Sequence, residues 1–249
     1  MLKKIIYIFI TALILAYLIY AVFYRVPNIQ NESFCSELRI DMVNETEHSY
    51  LTENHIKNVL SKAGLSPVGK KIEEINTALI KNKLEESRFI RQADCFKTVD
   101  GVVRIRIYQR IPVCRIFSTN GSYYLDKEGE KMPVPDNFAA YVPLASGYIN
   151  DKFAKEQLFE FALFLQQDKF WNSQIKQIYV AQNGDIELTP AVGNHRIILG
   201  KIENYRDNLE KLRLFYEKGL SKTGWNKYSV INLKFKNQVV CTKQNEKLN

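Results

Sequence analysis

The chain has 249 residues with 46% hydrophobic and 12% aromatic content, which supplies packed cores and excludes a disordered chain. Its net charge of +8 is unevenly placed: residues 196–249 carry 12 Lys/Arg against 5 Asp/Glu, so +7 sits in the last quarter and +1 in the rest. A basic skew of this kind points to nucleic acid, an acidic partner or a lipid surface, or else to a solvated face that keeps the protein soluble.

The first element decides between these. Lys3 and Lys4 precede an uncharged, apolar run from Ile5 to Tyr24. Twenty helical residues span roughly 30 Å, the thickness of the bilayer's hydrocarbon core. A secretory signal has an apolar core of roughly 7–15 residues and a small-x-small exit. Here the exit reads Ala21-Val22-Phe23-Tyr24-Arg25, so the pattern predicts an uncleaved transmembrane anchor. Tyr17, Tyr20 and Tyr24 collect toward one end as belt residues do, and the lysine pair places residues 1–4 in the cytoplasm. The bulk is then extracytoplasmic, which places nucleic acid poorly and leaves an acidic protein partner as the preferred reading beside a plainly solvated face.

A polar tether with Pro27 and Asn28 is expected over 25–33. Phe34–Val43 alternates Leu38, Ile40 and Met42 with Glu37, Arg39 and Asp41, a strand pattern. Tyr50–Ala63 reads as a helix, with Thr52 as N-cap, an Ile56/Val59/Leu60/Ala63 stripe and Gly64 as its stop. A second helix carries Ile72, Ile75, Leu79 and Leu84. Phe89–Lys97 is a strand, Asp100-Gly101 a hairpin turn, and Val103, Ile105 and Ile107 alternate with Arg104, Arg106 and Tyr108. The first module, 34–111, is therefore strand-helix-helix-strand-strand.

The second module, 112–241, is dominated by hairpins. Val113–Phe117 and Tyr123–Leu125 flank Asn120-Gly121, Ile175–Val180 and Ile186–Leu188 flank Asn183-Gly184, and Arg196–Leu199 follows Gly193-Asn194. Asn-Gly pairs supply the positive φ angles of tight turns. Helices are expected over Asp151–Gln167 and Ile202–Lys218, each with an apolar stripe. One long strand, Ser229–Val240, closes the module before a polar tail at 242–249. The fold class is α+β: a single N-terminal transmembrane helix, a βααββ module and a mixed β-rich domain with two helices.

Cys35, Cys95, Cys114 and Cys241 permit up to two disulfides with three full connectivities, and buried thiols fit equally well. No C-x-x-C spacing supports zinc or thioredoxin chemistry. The histidines His48, His55 and His195 lack metal-ligand spacing and fit surface or capping roles. Ser173-Gln174-Ile175-Lys176 and Lys222-Thr223-Gly224 match two boxes of penicillin-interacting serine enzymes, but Tyr148-Ile149-Asn150 precedes the serine instead of following it. No catalytic, cofactor or metal site is expected.

The closing strand is the strongest functional candidate. A terminal strand is often a sheet edge whose free N–H and C=O groups can pair with another chain. Its expected partner-binding residues are Ser229, Val230, Ile231, Leu233, Lys234, Phe235, Lys236, Asn237 and Val239. Lys234 and Lys236 would share one face, with Phe235, Asn237 and Val239 on the other. Lys211 and Lys218 of the preceding basic helix would join them.

The first module, directly behind a single anchor, resembles a POTRA domain, and the whole chain resembles the FtsQ/DivIB family of bacterial cell-division proteins. The stretch Val103-Arg104-Ile105-Arg106-Ile107-Tyr108-Gln109-Arg110-Ile111-Pro112-Val113-Cys114 is similar to that family's domain-junction motif. Tyr123-Tyr124-Leu125-Asp126, Lys127-Glu128-Gly129, Leu199-Gly200 and Ile231-Asn232-Leu233-Lys234-Phe235 follow in the family's order. The resemblance implies a non-catalytic divisome scaffold in the cytoplasmic membrane at the septum. It would bind FtsB/FtsL-type coiled-coil partners by strand addition, with Lys234 and Phe235 matching the basic-aromatic pair at that interface, and help regulate septal peptidoglycan synthesis. Other divisome proteins would meet the POTRA-like module, whose strand Phe89–Lys97 is an edge. In the junction motif of Gln109, Arg110 and Pro112, Gln109 replaces the family's usual Glu. Cys114 stands where the family has Ala, which favours a small buried thiol there. The alternatives are a POTRA-bearing periplasmic chaperone or secretion adaptor, and a membrane-tethered cell-wall enzyme.

Overall fold

The structure is a computed structural model that describes residues 2–24, 33–43, 50–118, 121–136 and 138–244. Most of the expected tether, the Asn120 turn position, His48 and the end of the polar tail lie outside the described residues.

The N-terminal helix α1 (Leu2–Tyr24) runs unbroken for 23 residues. Its described apolar side chains, such as Phe9, Leu13, Leu15 and Ile19, are exposed. Side chains 2, 3, 5, 8 and 22–24 are outside the described residues. Among the described residues no helix is long and apolar enough to cross a membrane, so the anchor over 5–24 rests on the sequence.

The first module contains β1 (Glu37–Val43), α2 (Glu53–Lys62), α3 (Thr77–Glu85), β2 (Ile90–Lys97) and β3 (Val102–Gln109). The strands form one sheet in the order β1-β3-β2, with β1 parallel and β2 antiparallel to the central β3. The alternation in β3 is borne out: Val103, Ile105 and Ile107 are fully buried. They form one core with Ile56, Leu60, Ile80 and Leu84 from the two helices. Thr52 caps α2 by accepting the amide of His55 at 3.2 Å. The second helix is shorter than its apolar spacing suggested. A 3₁₀ turn at Ile72–Glu74 comes first, and the helix restarts at Thr77 under the cap of Asn76. The first strand also begins late, because Phe34 forms an isolated bridge to Lys71.

The second module is one nine-stranded sheet. Its strands are β4 (Pro112–Ser118), β5 (Gly121–Asp126), β6 (Lys131–Pro133), β7 (Leu144–Gly147), β8 (Ile175–Val180), β9 (Ile186–Pro190), β10 (Arg196–Gly200), β11 (Tyr228–Asn232) and β12 (Val240–Lys243). The order is β12-β11-β10-β9-β8-β7-β4-β5-β6. Pairs β4/β7, β7/β8 and β10/β11 are parallel, so hairpins account for only part of it. Parallel neighbours need a crossover connection, usually helical. Between β7 and β8 it is supplied by α4 (Asp151–Phe153), a π turn (Ala154–Leu158), α5 (Phe159–Gln167) and α6 (Lys169–Gln174). Between β10 and β11 a 3₁₀ turn (Ile202–Asn204), α7 (Tyr205–Phe215), a second π turn (Tyr216–Leu220) and α8 (Ser221–Thr223) play that part. Phe161, Leu165, Trp171, Leu209, Leu212 and Tyr216 bury this layer against the sheet in a second core.

Of the two readings open for the cysteines the free thiols hold, and two other expectations, for His195 and for the closing strand, are corrected. All four cysteines are free thiols; Cys114 is fully buried, and burial pushes its thiol up to about 12. His195 is not at the surface: it is buried and its Nε2 lies 2.8 Å from the Tyr216 hydroxyl. The single closing strand is replaced by β11, a loop and β12.

The modules meet at the junction motif. Arg110 donates to Asp126 Oδ2 at 2.5 Å, while Asp126 Oδ1 accepts the amides of Glu128 and Glu130. The Tyr50 hydroxyl donates to the Arg110 carbonyl and lies 3.2 Å from the Phe89 carbonyl, and Gln109 Oε1 accepts the Leu51 amide at 3.2 Å. Pro112 opens β4, and its carbonyl accepts from Gln166 at 3.3 Å.

Candidate functional site

The C-terminal edge of the large sheet is built by a chain that leaves β11 too early to make one long strand. Asn232 Oδ1 accepts the amide of Lys234 at 3.0 Å, a side-chain turn of the kind Asn favours. Lys211 of α7 then donates to the carbonyls of Leu233 and Phe235 at 2.8 and 3.0 Å. Asn237 takes a left-handed φ of 62°. These contacts close residues 233–239 into a loop that returns the chain antiparallel as β12, with Ile231 opposite Cys241 and Asn232 opposite Val240.

The expected partner-binding residues therefore separate. Ser229, Val230 and Ile231 lie in β11, which is flanked by β10 and β12, so it offers no free edge. Ile231 and Leu233 are fully buried. Val239 packs against the core. Lys218 sits exposed in the second π turn. Lys211, Lys234, Phe235, Lys236 and Asn237 do gather in and around the loop, with Phe235, Leu214 of α7 and Val240 of β12 as exposed apolar side chains. A groove of about 540 Å³ runs between the loop and α7, with Lys211, Lys234 and Lys236 facing Asp207 and Glu210.

Lys234 is held by the protein's own groups although its side chain stays 45% exposed. Its stem passes over Gly200, where an added Cβ would stand 2.8 Å from Lys234 Cγ, and where φ is +87°. Its Nζ reaches Asp185 Oδ2 at 2.7 Å, and Lys201 approaches Oδ1 at 3.3 Å. The hydrogen bond from Lys234, ahead of the Lys201 contact, holds the Asp185 carboxyl below the usual carboxylate range against the opposing effect of burial. Asp185 was not legible as part of this site. Its Asn183-Gly184-Asp185 setting signals only a turn, and the long-range pairing to Lys234 has no sequence signature.

Among the described residues β12, Val240–Lys243, is the outer strand at this end of the sheet, and β6 is the outer strand at the other. Val240 ends the segment expected as the closing strand, and Cys241, Thr242 and Lys243 stand just past it. Val240, Thr242 and Lys243 are exposed and Cys241 is half-buried. An exposed edge of four residues can take a short extended segment through main-chain hydrogen bonds. In the first module, the expected edge strand lies at the border of its sheet as β2.

The serine-enzyme boxes do not assemble. Ser173 Oγ donates to the Phe170 carbonyl at 2.8 Å and Lys176 donates instead to the Tyr141 hydroxyl. Among the described residues no group of three or more His, Cys, Asp or Glu side chains could hold a metal ion.

Comparison with known proteins agrees with this architecture. The FtsQ/DivIB, C-terminal related family matches residues 111–242, and a POTRA-like domain matches residues 33–108. The chain is 25% identical over 191 residues to the cell division protein FtsQ of Rhodothermus marinus, covering 71% of this chain and 68% of that protein.

Proposed function

The chain belongs to the FtsQ/DivIB family of cell-division proteins, and from that premise we propose that it is a membrane-anchored, non-catalytic scaffold of the division septum whose β12 edge takes a strand from an FtsB/FtsL-type partner. The position of β12 as the last strand of the nine-stranded order carries this reading. Its neighbour β11 is already paired on both sides, so strand addition belongs to Val240–Lys243. Phe235, exposed on the adjacent loop, supplies an apolar contact beside that edge. The basic last quarter steers an acidic partner toward it. By holding the coiled-coil pair at the septum the scaffold helps regulate septal peptidoglycan synthesis, while the POTRA-like module serves other divisome proteins. The anchor is supported by the uncharged run 5–24 and by a helix whose described apolar side chains face outward.

The test uses the geometry of a strand. Successive residues direct their N–H groups to opposite sides in the sheet plane, and proline removes that donor. Of Cys241→Pro and Thr242→Pro, one therefore deletes a donor aimed at β11 and the other a donor aimed at the free edge. The full chain in detergent is titrated with the extracytoplasmic FtsB/FtsL-type complex. One proline variant should keep the circular dichroism of the wild type and lose binding, and Phe235→Ala should weaken it. Undiminished binding by both proline variants would remove β12 as the docking edge. An on-rate that is independent of salt would remove the steering.

A further inference from the structure

Three exposed apolar side chains stand on segments joined at one end of the first module, and the function so far described uses none of them. Phe34, Val68 and Val99 are each more than half exposed. They come from three segments that are hydrogen-bonded into one platform. The Cys35 amide donates to the Lys70 carbonyl at 2.8 Å, the Gly69 amide to the Cys35 carbonyl at 2.9 Å, and the Ser36 amide to the Gly101 carbonyl at 3.0 Å. Phe34 itself bridges to Lys71. Val99 sits in the tight turn between β2 and β3, which closes through Thr98 and Val102. None of the three packs in a core.

This platform is also where the chain enters the module. Only residues 25–32 separate the end of α1 at Tyr24 from Ser33. Fully extended, that link reaches roughly 30 Å at most. The module therefore cannot leave the neighbourhood of the bilayer, and the end it enters by is the end closest to the anchor. We propose that Phe34, Val68 and Val99 form a membrane seat that dips into the outer interface of the lipid bilayer and fixes how the POTRA-like module stands on it. The inference rests on the anchor reading of residues 5–24.

The occupant is lipid because of where the link ends and what surrounds the seat. Lys97 flanks it with a long stem that can lay its methylenes along apolar surface and keep its charge at the headgroups, while the Lys70 ammonium beside it is held on the Gly64 carbonyl at 2.9 Å. Asp100, Glu73 and Glu74 lie on the same segments, so the charge is nearly balanced. Binding should therefore come from apolar burial and not depend on anionic lipid. A small apolar cluster of this kind would not hold a free module on a membrane; tethered, it acts at high effective concentration and needs little affinity.

The test places tryptophan reporters in the full chain, reconstituted in bilayers of zwitterionic lipid. Phe34→Trp and Val99→Trp report the seat, Leu79→Trp reports the helical face of the same module, and Leu15→Trp reports the anchor. Quencher-labelled lipids carry the label either near the headgroup or at the bilayer centre. Interfacial groups sit about 5–10 Å into the headgroup and acyl boundary. Emission from the reporter at position 34 is therefore expected to shift blue and to be lost more to the shallow label, with the same pattern at position 99 and none at position 79. Added Val68→Glu should reverse the loss at position 34. If position 15 is quenched by the central label and positions 34 and 99 are not quenched at all, the anchor holds and the seat is overturned. Equal quenching at 34 and 79 would also overturn it, since the module would then lie on its side. No quenching at position 15 would overturn the anchor and the seat with it.

Discussion

Lys234 shows how a residue expected to meet a partner can also support the fold. Its place beside Phe235 in a basic, aromatic pair suggested a partner-facing charge. The structure turns its ammonium inward onto Asp185, and Gly200 leaves room for the stem. Lys234→Glu should therefore weaken the fold as well as any binding. A second carboxylate would then face Asp185 at a site open on the lysine side, where the Lys234 side chain is 45% exposed, so solvent screening limits the expected destabilisation to about 1 kcal/mol. Urea titration checks this. The sign of the pH effect follows from the same contact. Asp185 has a lowered folded-state pKa, so its contribution is present above the ordinary carboxylate range and is lost as pH falls through the lowered value. Lys234→Gln should flatten the acid limb of stability relative to wild type. Identical acid limbs would show that the pair contributes nothing. Such pairings span 49 residues and leave no local pattern, which is why Asp185 escaped sequence reading while Thr52, a cap defined by its neighbours, did not.

At the scale of elements, periodicity was a good guide wherever one face of a strand or helix is buried and a poor one where the backbone itself turns. The β3 alternation and the α2 stripe were read correctly. The closing segment was not, because Ser229–Val240 alternates plausibly as a strand, and the decisive features are Asn232, Asn237 and a lysine reaching from another helix. The short strands β6 and β7 were missed for a related reason: three or four residues are too few to establish a period. β7 ends at Gly147, whose φ is +101° and where a Cβ would fall 2.2 Å from the Val180 carbonyl oxygen. That oxygen accepts the Tyr148 amide at 2.9 Å and belongs to the parallel neighbour β8. A backbone atom cannot step aside as a side chain would. Gly147→Ala should cost about 3 kcal/mol or more, combining left-handed strain with overpacking. A calorimetric melting temperature equal to that of the wild type would show that the β7–β8 register can shift to relieve it.

For the whole molecule, the question is how two modules with separate cores act as one object. Each core is closed by its own helices, so coupling must come from the junction, where Gln109, Arg110 and Pro112 were singled out by their likeness to a family motif and not by any physical pattern. The structure supplies the physics. Arg110 belongs to the chain between modules, yet its guanidinium is held by Asp126 of the second module and its carbonyl by Tyr50 of the first. The Tyr50 ring also stacks near Phe89 of the first module and Phe138 of the second, with centroids 5.9 and 5.3 Å apart. Arg91 adds an exposed contact to Glu128 at 3.4 Å, which is too solvated to hold the modules by itself. The hydroxyl of Tyr50 thus ties the first module to the connecting strand at the point where Asp126 grips it from the second. Tyr50→Phe keeps the rings and removes that tie, at a cost of about 0.5–1.5 kcal/mol. The loss should be local. Hydrogen exchange should quicken at the amides of Arg110 and Lys127, which close the junction onto Phe89 and Ile111, while amides of β3 and β8 keep their protection. Uniform acceleration across both modules would mean that the junction and the cores open together, and unchanged exchange would mean that Asp126 alone sets the angle. The local result would have a consequence for recruitment. If a partner docks at the β12 edge as proposed above, a stiff junction carries the orientation of the first module to that edge, and loosening Tyr50 should slow the partner's association even though no contact residue has changed.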